Sequence, residues 1–200
     1  MRATVRNMEE KKVRHLRDCD ATGRRLQLFV ARLDQDGAFD WPCVGCEFVI
    51  HAASPDASAE RLSDREMVHL AVKGTLSLLQ SCVRSRSVHK VVITSSVAAL
   101  IDTPKDGEVC TEEPDRNSRS TLRKNAYYFS KTEAEKAAWL FVKGMKEESP
   151  FSLVAINPTV VIGPSLSTPE SATRPNCSSN GIIVDLLTQK RHAIIHFAWG

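Results

Sequence analysis

The stretch His89–Ser96 restricts the possible folds more than any other part of the sequence. It is a run of mainly β-branched residues that ends in three hydroxyl side chains, Thr94, Ser95 and Ser96. A continuous run of this kind is typical of a strand that is buried on both faces, as in a parallel sheet covered by helices. Ligands bind outside the carboxyl ends of such strands. A serine at that edge is placed to donate a hydrogen bond to a carbonyl oxygen, where charge develops in a reaction.

Four other segments have the apolar character of short strands, and segments with helical patterns separate several of them. With Lys90–Ser95, the predicted strands are Arg2–Arg6, Leu26–Ala31, Glu47–Ala52 and Ser152–Ile156. Strands that alternate with helices indicate parallel βαβ units. The sequence therefore predicts an α/β fold built on a parallel sheet.

The strongest helical pattern lies between the third and fourth predicted strands. Apolar or small residues recur at steps of three and four from Met67 to Cys82, and Ser63 or Asp64 is the predicted N-cap. Gly74 lies on the same face, where it costs roughly 1 kcal/mol of helix stability relative to alanine. We expect a close approach to the sheet at this glycine.

A second helix, predicted from Tyr127 to near Gly144, carries the pair of residues that points most directly to chemistry. Residues i and i+4 lie on one face of a helix, so the Tyr127 phenol and the Lys131 ammonium are expected to face the same way. A cation beside a phenol lowers its pKa from about 10. The pair predicts a general acid/base for an alcohol or an alkoxide, with Tyr128 as the alternative tyrosine.

Composition points away from several other classes of protein. The 200 residues are 42% hydrophobic and 26% charged, as in an ordinary globular domain, and a net charge of +3 does not argue for nucleic-acid binding. We expect no secretory signal and no membrane span. Cys43 and Cys46 are the only closely spaced pair among six cysteines, so no metal site is predicted. Free thiols fit a reducing compartment, and the predicted location is cytoplasmic.

Short motifs along nearly the whole chain resemble the extended short-chain dehydrogenase/reductases. Their Ser-Tyr-Lys set corresponds to Ser96, Tyr127 and Lys131, and the remaining motifs narrow the resemblance to the branch of dihydroflavonol 4-reductase and cinnamoyl-CoA reductase. These motifs are Arg2–Asn7, Lys12–Leu16, His51–Pro55, Ser130–Glu135 and Asn157–Pro164. The resemblance implies a Rossmann-type doubly wound parallel sheet and NADP(H) as the cofactor.

The resemblance also implies a role for each matched residue. Tyr127 is the acid/base, Lys131 lowers its pKa and holds the nicotinamide ribose, and Ser96 polarises the carbonyl, with Ser95 as the alternative serine. Arg6 ends a strand where NAD-binding enzymes carry an acid for the ribose 2′-OH, so this arginine is expected to accept the 2′-phosphate of NADP. Further cofactor contacts are implied at Lys12, Leu33, Ala52, Ala53, Ser54, Pro158, Val161 and Ser179.

Two positions depart from the pattern of the family. An adenine-contacting Asp usually follows the strand that ends at Ala31, but this chain has Arg32 there, which leaves only the Leu33 backbone for that contact. Where flavonoid reductases carry a substrate-reading Asn, this chain has Ile101. A less polar aldehyde or ketone is therefore expected as the substrate, rather than a polyhydroxylated flavonoid.

The spacing of the glycines differs from that of a complete dinucleotide-binding fold. Such a fold begins with a strand and a glycine-rich turn that binds the pyrophosphate. The nine glycines lie at least eight residues apart, so none forms that turn. The sequence is expected to lack the first strand and the turn and to be cut at both ends. Alone, it is expected neither to fold stably nor to bind NADPH tightly.

The sequence thus predicts an NADP-binding domain over residues 1–164 and the beginning of a substrate-binding region over residues 165–200. The predicted activity is NADP(H)-dependent oxidation or reduction at a CH–OH group, with a small alcohol or carbonyl compound as substrate and neither a nucleic acid nor a membrane as partner. Three alternatives share the Ser-Tyr-Lys set: a hydroxysteroid dehydrogenase, a sugar-nucleotide epimerase and an inactive truncated member.

Overall fold

The computed structural model describes residues 1–20, 22–55, 62–109, 111, 117–145 and 149–161. The strands are β1 (Arg2–Val5), β2 (Gln27–Val30), β3 (Phe48–His51), β4 (Lys90–Thr94) and β5 (Ser152–Ile156). The α-helices are α1 (Glu10–Asp18), α2 (Asp40–Cys43), α3 (Asp64–Ser85) and α4 (Ala126–Met145), and a 3₁₀ helix, Val97–Ala99, follows β4. All five predicted strands are confirmed, with ends that differ by no more than one residue.

The strands pair in parallel, and their register sets the edge at which the candidate site forms. β1 pairs with β2, and β4 lies between β3 and β5. Within the described part of the chain no ladder joins β1 to β3, so the strands form two sheets. Because His51 pairs with Ile93 and Thr94 pairs with Ile156, the carboxyl ends of β3, β4 and β5 meet at one edge.

The main core lies between α3, α4 and one face of the three-stranded sheet. Its buried members include Leu78, Leu79, Cys82, Val91, Ile93, Ala138, Phe151 and Leu153. The other face of the sheet is more open, since Ile50 is 74% exposed and Val92, its neighbour on β4, is only half-buried. The prediction that β4 is buried on both faces is therefore wrong. Val91 and Ile93 are buried, whereas the side chains at the alternate positions, such as Val92, point to the more open face.

Helix α3 begins after the N-cap that the sequence predicts, and at Gly74 it packs closely against Leu33. Ser63 is the N-cap, and a capping box pairs it with Glu66. A Cβ on Gly74 would lie 2.6 Å from Leu33 Cδ2 and 2.9 Å from Leu33 Cβ. The glycine thus allows a close approach, but to the loop after β2 rather than to a strand.

The chain divides into two compact units. The first comprises Met1–Met8 and Thr22–Thr159, and it contains all the described strands together with α2, α3 and α4. The second comprises Glu9–Ala21 and Val160–Gly200, and its described residues include α1. Residues 165–200 lie outside the described residues, so the substrate-binding region stays a prediction.

Candidate active site

Tyr127 and Lys131 lie in the first two turns of α4, and their side chains lie on one face of the helix, as their spacing predicts. The Lys131 ammonium lies over the Tyr127 ring, with Nζ 5.7 Å from the ring centroid. Lys131 Nζ also donates a hydrogen bond of 3.0 Å to Ser54 Oγ, in the segment that follows β3. Helix α4 is therefore connected to the carboxyl end of β3 by a residue of the predicted Ser-Tyr-Lys set.

The two serines after β4 have different surroundings. The Ser95 hydroxyl donates to Glu135 Oε2 on α4. The Ser96 hydroxyl caps the following 3₁₀ helix by accepting from the Ala98 amide at 3.2 Å, and it lies near enough to the Tyr127 hydroxyl to lower the pKa of that phenol. Ser95 is thus held by Glu135 and lines the cleft beside Lys131, whereas Ser96 is the serine that influences the phenol.

The protonation of Tyr127 differs from the sequence-based expectation. Burial raises the pKa of Tyr127, which outweighs the lowering effect of the hydrogen bond with Ser96, and the nearby Tyr128 raises it further. The expected lowering of this pKa by Lys131 is therefore not what the structure shows. The ammonium lies over the ring, and its own pKa is lowered by burial. The phenol is thus neutral at physiological pH and holds a proton that it can donate.

A cleft opens beside Lys131 at the carboxyl edge of β3 and β4. It is lined by side chains from β3, β4, α3 and α4 and from the segment after β3, among them His51, Ala53, Ser54, Thr75, Ser95 and Lys131. Ala52, Ala53 and Ser54 are all exposed. Small side chains at this edge allow a ligand to approach the backbone closely, at three residues for which the resemblance to the family implies cofactor contacts.

His51 lies at the end of β3, in the wall of this cleft, and is 7% exposed. Burial, reinforced by the positive charge of Lys131, lowers its pKa from 6.5 to about 4. The imidazole is therefore neutral in the native state at pH 7. The sequence analysis gave His51 only as part of a motif, because its burial depends on tertiary packing.

The depressed pKa of His51 predicts a stability that falls with acid. Between pH 6.5 and about 4 the unfolded chain binds a proton at this site that the native chain does not, so the free energy of unfolding decreases as the pH falls. The full difference is on the order of 3 kcal/mol. Chemical denaturation at pH 7 and pH 5 should show a smaller decrease for His51→Gln than for the parent. His69→Gln, at an exposed histidine on α3, should behave like the parent; an equal decrease in all three proteins would contradict the prediction.

The residues predicted for the adenosine end lie at the carboxyl edge of β1 and β2. Arg6 is exposed and directly follows β1, and the Ala31 amide donates to the Val5 carbonyl beside it at 3.0 Å. Arg32, which replaces the usual Asp, makes two hydrogen bonds to Asp34, of 2.9 and 2.8 Å. Leu33 packs against α3 at Gly74. The Arg32–Asp34 pair holds the loop in which the Leu33 backbone was predicted to contact adenine.

The remaining predicted cofactor contacts are distributed over both units. Pro158 follows β5, and its carbonyl accepts from the Val97 amide at 3.0 Å, so it lies next to the segment that begins at Ser96. Lys12 is in α1 and pairs with Glu9 at 2.9 Å. Val161 belongs to the second unit and is 67% exposed. Ser179 lies outside the described residues.

Sequence reasoning missed two polar residues beside the site. The sequence analysis included Glu135 and Asn157 only as parts of two motifs and gave neither of them a role at the site. Their side chains hydrogen-bond to each other at 2.8 Å, and they also bond to Ser95 and Ser96. Glu135 is four residues after Lys131, so helical spacing alone was enough to place it on the same face. Its burial and its partners depend on how α4 packs against the ends of β4 and β5.

Two further findings concern other kinds of site. In the part of the chain that the structure describes, no group of three or more His, Cys, Asp or Glu side chains is arranged to hold a metal ion. None of the described helices is long and apolar enough to cross a membrane.

The fold and the Ser-Tyr-Lys arrangement define a Rossmann-type α/β protein, and comparisons with known proteins identify its family. The model of the 3-beta hydroxysteroid dehydrogenase/isomerase family matches residues 6–193. Over 83% of its length the chain is 42% identical to cinnamoyl-CoA reductase of Medicago truncatula, and it covers 51% of that protein. It is 35% identical to dihydroflavonol 4-reductase of Gerbera hybrida, over 82% of this chain and 45% of the relative.

A solved structure agrees with this assignment. The yeast methylglyoxal/isovaleraldehyde reductase Gre2, solved with NADPH, superposes with a TM-score of 0.75 at 27% identity, over 94% of this chain and 58% of Gre2. The chain belongs to the 3-beta hydroxysteroid dehydrogenase/isomerase family, as an extended short-chain dehydrogenase/reductase of the dihydroflavonol 4-reductase and cinnamoyl-CoA reductase branch. It spans about half the length of the curated relatives it matches.

Proposed function

We propose that the protein is an NADP(H)-dependent carbonyl reductase or alcohol dehydrogenase that acts at a CH–OH group. The observation that carries the proposal is the meeting of Ser96, Tyr127 and Lys131 at one sheet edge. Ser96 lies near enough to Tyr127 to lower the pKa of its phenol, and the Lys131 ammonium lies over the Tyr127 ring, with Nζ 5.7 Å from the ring centroid. This arrangement supports a site with a hydrogen-bond donor, a proton donor and a cation around one position.

The residues at this edge fit the nicotinamide end of the cofactor. The Lys131 ammonium and the Ser54 hydroxyl, which are 3.0 Å apart, form a pair of polar groups suited to ribose hydroxyls, and the exposed Ala52 and Ala53 leave room for close approach. Arg6 is suited to the 2′-phosphate because its guanidinium is always charged and offers several donors. By resemblance, the other contacts would come from Lys12, Leu33, Pro158, Val161 and Ser179. When bound, NADPH supplies the hydride, and the protein orients and polarises the substrate.

The chain's own residues would handle the oxygen of the substrate. Ser96 donates a hydrogen bond to the carbonyl oxygen, where negative charge develops. Tyr127 then gives its proton to that oxygen, and the Lys131 charge stabilises the phenolate that remains. Because burial raises the pKa of Tyr127, the proton is present at physiological pH. This is the protonation state that the reduction of a carbonyl requires.

The substrate is proposed to be an aldehyde or ketone of moderate polarity. Ile101 follows the 3₁₀ helix after Ser96 and is half-buried, so it offers an apolar contact where a flavonoid reductase offers an amide. Yeast Gre2, which resembles this chain in structure, is described as a reductase of methylglyoxal and isovaleraldehyde. A small or branched aldehyde is therefore the first substrate to test.

The test is the consumption of NADPH by the full-length protein with a panel of aldehydes, ketones and flavonoids. A reductase consumes one NADPH for each alcohol that forms, and aldehydes should react better than dihydroflavonols. A sugar-nucleotide epimerase would convert its substrate with no net consumption of the cofactor, and an inactive member would bind NADPH without turnover. Either result would refute the proposed function.

A further inference from the structure

Glu135 is a buried carboxylate beside the proposed site, and its chemical role is not explained by the Ser-Tyr-Lys set. It is 3% exposed and lies on α4, two helical turns after Tyr127. Its Oε2 accepts from the Ser95 hydroxyl and, at 2.8 Å, from Asn157 Nδ2. Its Oε1 accepts from Trp139 Nε1 at 3.1 Å. One side chain therefore links α4 to the ends of β4 and β5.

The chemistry of these partners requires an acceptor at both oxygens. The Asn157 amide and the Trp139 indole can only donate through the nitrogens that face Glu135, and the Ser95 hydroxyl donates as well. A glutamine in the same place would present an NH₂ group to at least one of these donors. An ionised carboxylate satisfies all three with charge-assisted hydrogen bonds, which are stronger than neutral ones.

The network reaches Ser96 by two routes. Asn157 Nδ2 also donates to the Ser96 carbonyl at 3.0 Å, so one amide group joins the Glu135 carboxylate to the Ser96 backbone. Ser95 precedes Ser96 in the chain, and its hydroxyl is held by Glu135. Ser96 is therefore held through its backbone and through its neighbour, and its hydroxyl lies near that of Tyr127, on the same helix as Glu135.

We propose that Glu135 is a positioning residue that fixes Ser96 against Tyr127 through Ser95 and Asn157. The proposal deepens the proposed function and rests on it, because the alignment matters only where Ser96 and Tyr127 act on the same substrate oxygen. Glu135 lies in the wall of the cleft, and its proposed effect on the substrate oxygen is indirect, through Ser96. Its loss would misplace the hydroxyl of Ser96 while leaving Lys131 and Ser54 in place for the cofactor.

The kinetic test is a double-mutant cycle between Glu135→Gln and Ser96→Ala. Alone, Glu135→Gln should lower kcat by about 10²-fold, the scale of an angstrom-sized misplacement, with KM for NADPH changed less than about twofold. In the Ser96→Ala background it should lower kcat no further. A merely structural role predicts the same loss in both backgrounds, and that result would overturn the proposal.

Two more variants keep the test decisive. Glu133→Gln removes a glutamate two residues away that pairs with Lys136 at 3.8 Å, and it should leave kcat unchanged. Asn157→Ala removes the link between Glu135 and the Ser96 backbone, so it replaces Glu135→Gln in the cycle if that variant does not fold. Asn157→Ala should show the same dependence on Ser96, and independent effects would count against the proposal.

A spectroscopic measurement separates this proposal from the proposed function. The chain has two tyrosines, so Tyr128→Phe leaves Tyr127 as the only source of a tyrosine Cζ signal in a labelled protein. That chemical shift reports the surroundings of the Tyr127 hydroxyl, which include Ser96, whether or not any substrate turns over. Glu135→Gln should move it toward the value seen with Ser96→Ala. An unchanged signal in a protein with NADPH-dependent activity would refute the positioning role alone, whereas a parent without that activity would refute the function.

Discussion

In the full-length protein, replacing Tyr127 by phenylalanine is expected to lower kcat for aldehyde reduction by about 10²- to 10⁴-fold, the usual contribution of a positioned acid. The variant keeps the ring beneath the Lys131 ammonium, 5.7 Å from Nζ to the centroid, and removes only the hydroxyl that lies near Ser96. NADPH affinity should therefore change by no more than a few fold. Steady-state kinetics together with a fluorescence titration of NADPH separate the two effects.

Tyr128→Phe is the matched control for this prediction. The two rings are in contact, with centroids 6.0 Å apart in an edge-to-face arrangement, so both substitutions remove one hydroxyl from the same region. Tyr128→Phe should retain most of the parent's kcat. If Tyr128→Phe is inactive and Tyr127→Phe matches the parent, the assignment of the acid is wrong.

NADPH is expected to be preferred over NADH, and Arg6→Ala is expected to remove most of that preference. Arg6 is exposed at the carboxyl end of β1, where an acidic residue would instead bind the ribose 2′-OH. Hydrogen bonds to a charged group contribute about 1.5–3 kcal/mol. The ratio of kcat/KM for NADPH to that for NADH should therefore fall by roughly 10- to 100-fold.

The control for this prediction is Arg24→Ala. Arg24 is also exposed, but it precedes β2 and so lies at the amino edge of the same sheet. The two substitutions change the net charge equally, so a general electrostatic effect would alter both variants. The idea is refuted if the parent prefers NADH, or if Arg6→Ala keeps the parent's ratio.

The parts of the fold that depend on local sequence could be predicted. The β-branched run Lys90–Ser95 identified β4, and the Ser63 N-cap identified the start of α3. The spacing of Tyr127 and Lys131 placed both on one face of α4, because the helical period fixes that relation whatever the helix packs against.

The parts that depend on packing could not be predicted. The pKa of Tyr127 rises because burial outweighs the hydrogen bond with Ser96, and sequence spacing contains no information on burial. The close approach of Gly74 to Leu33 needs the position of the loop after β2. The role of Glu135 is defined by partners 40 and 22 residues away, at Ser95 and Asn157. Contacts of that range follow from topology rather than from a local pattern.

The transfer of deuterium from labelled NADPH to the product tests the central claim most directly. The protein would be incubated with an aldehyde and with NADPH that carries deuterium at the transferable position of the nicotinamide, in ordinary water. The account predicts one deuterium on the carbinol carbon of the alcohol, with formation of this alcohol slowed by about 10²- to 10⁴-fold in Tyr127→Phe. An alcohol without deuterium from either face of the cofactor, or equal transfer by Tyr127→Phe, would contradict it.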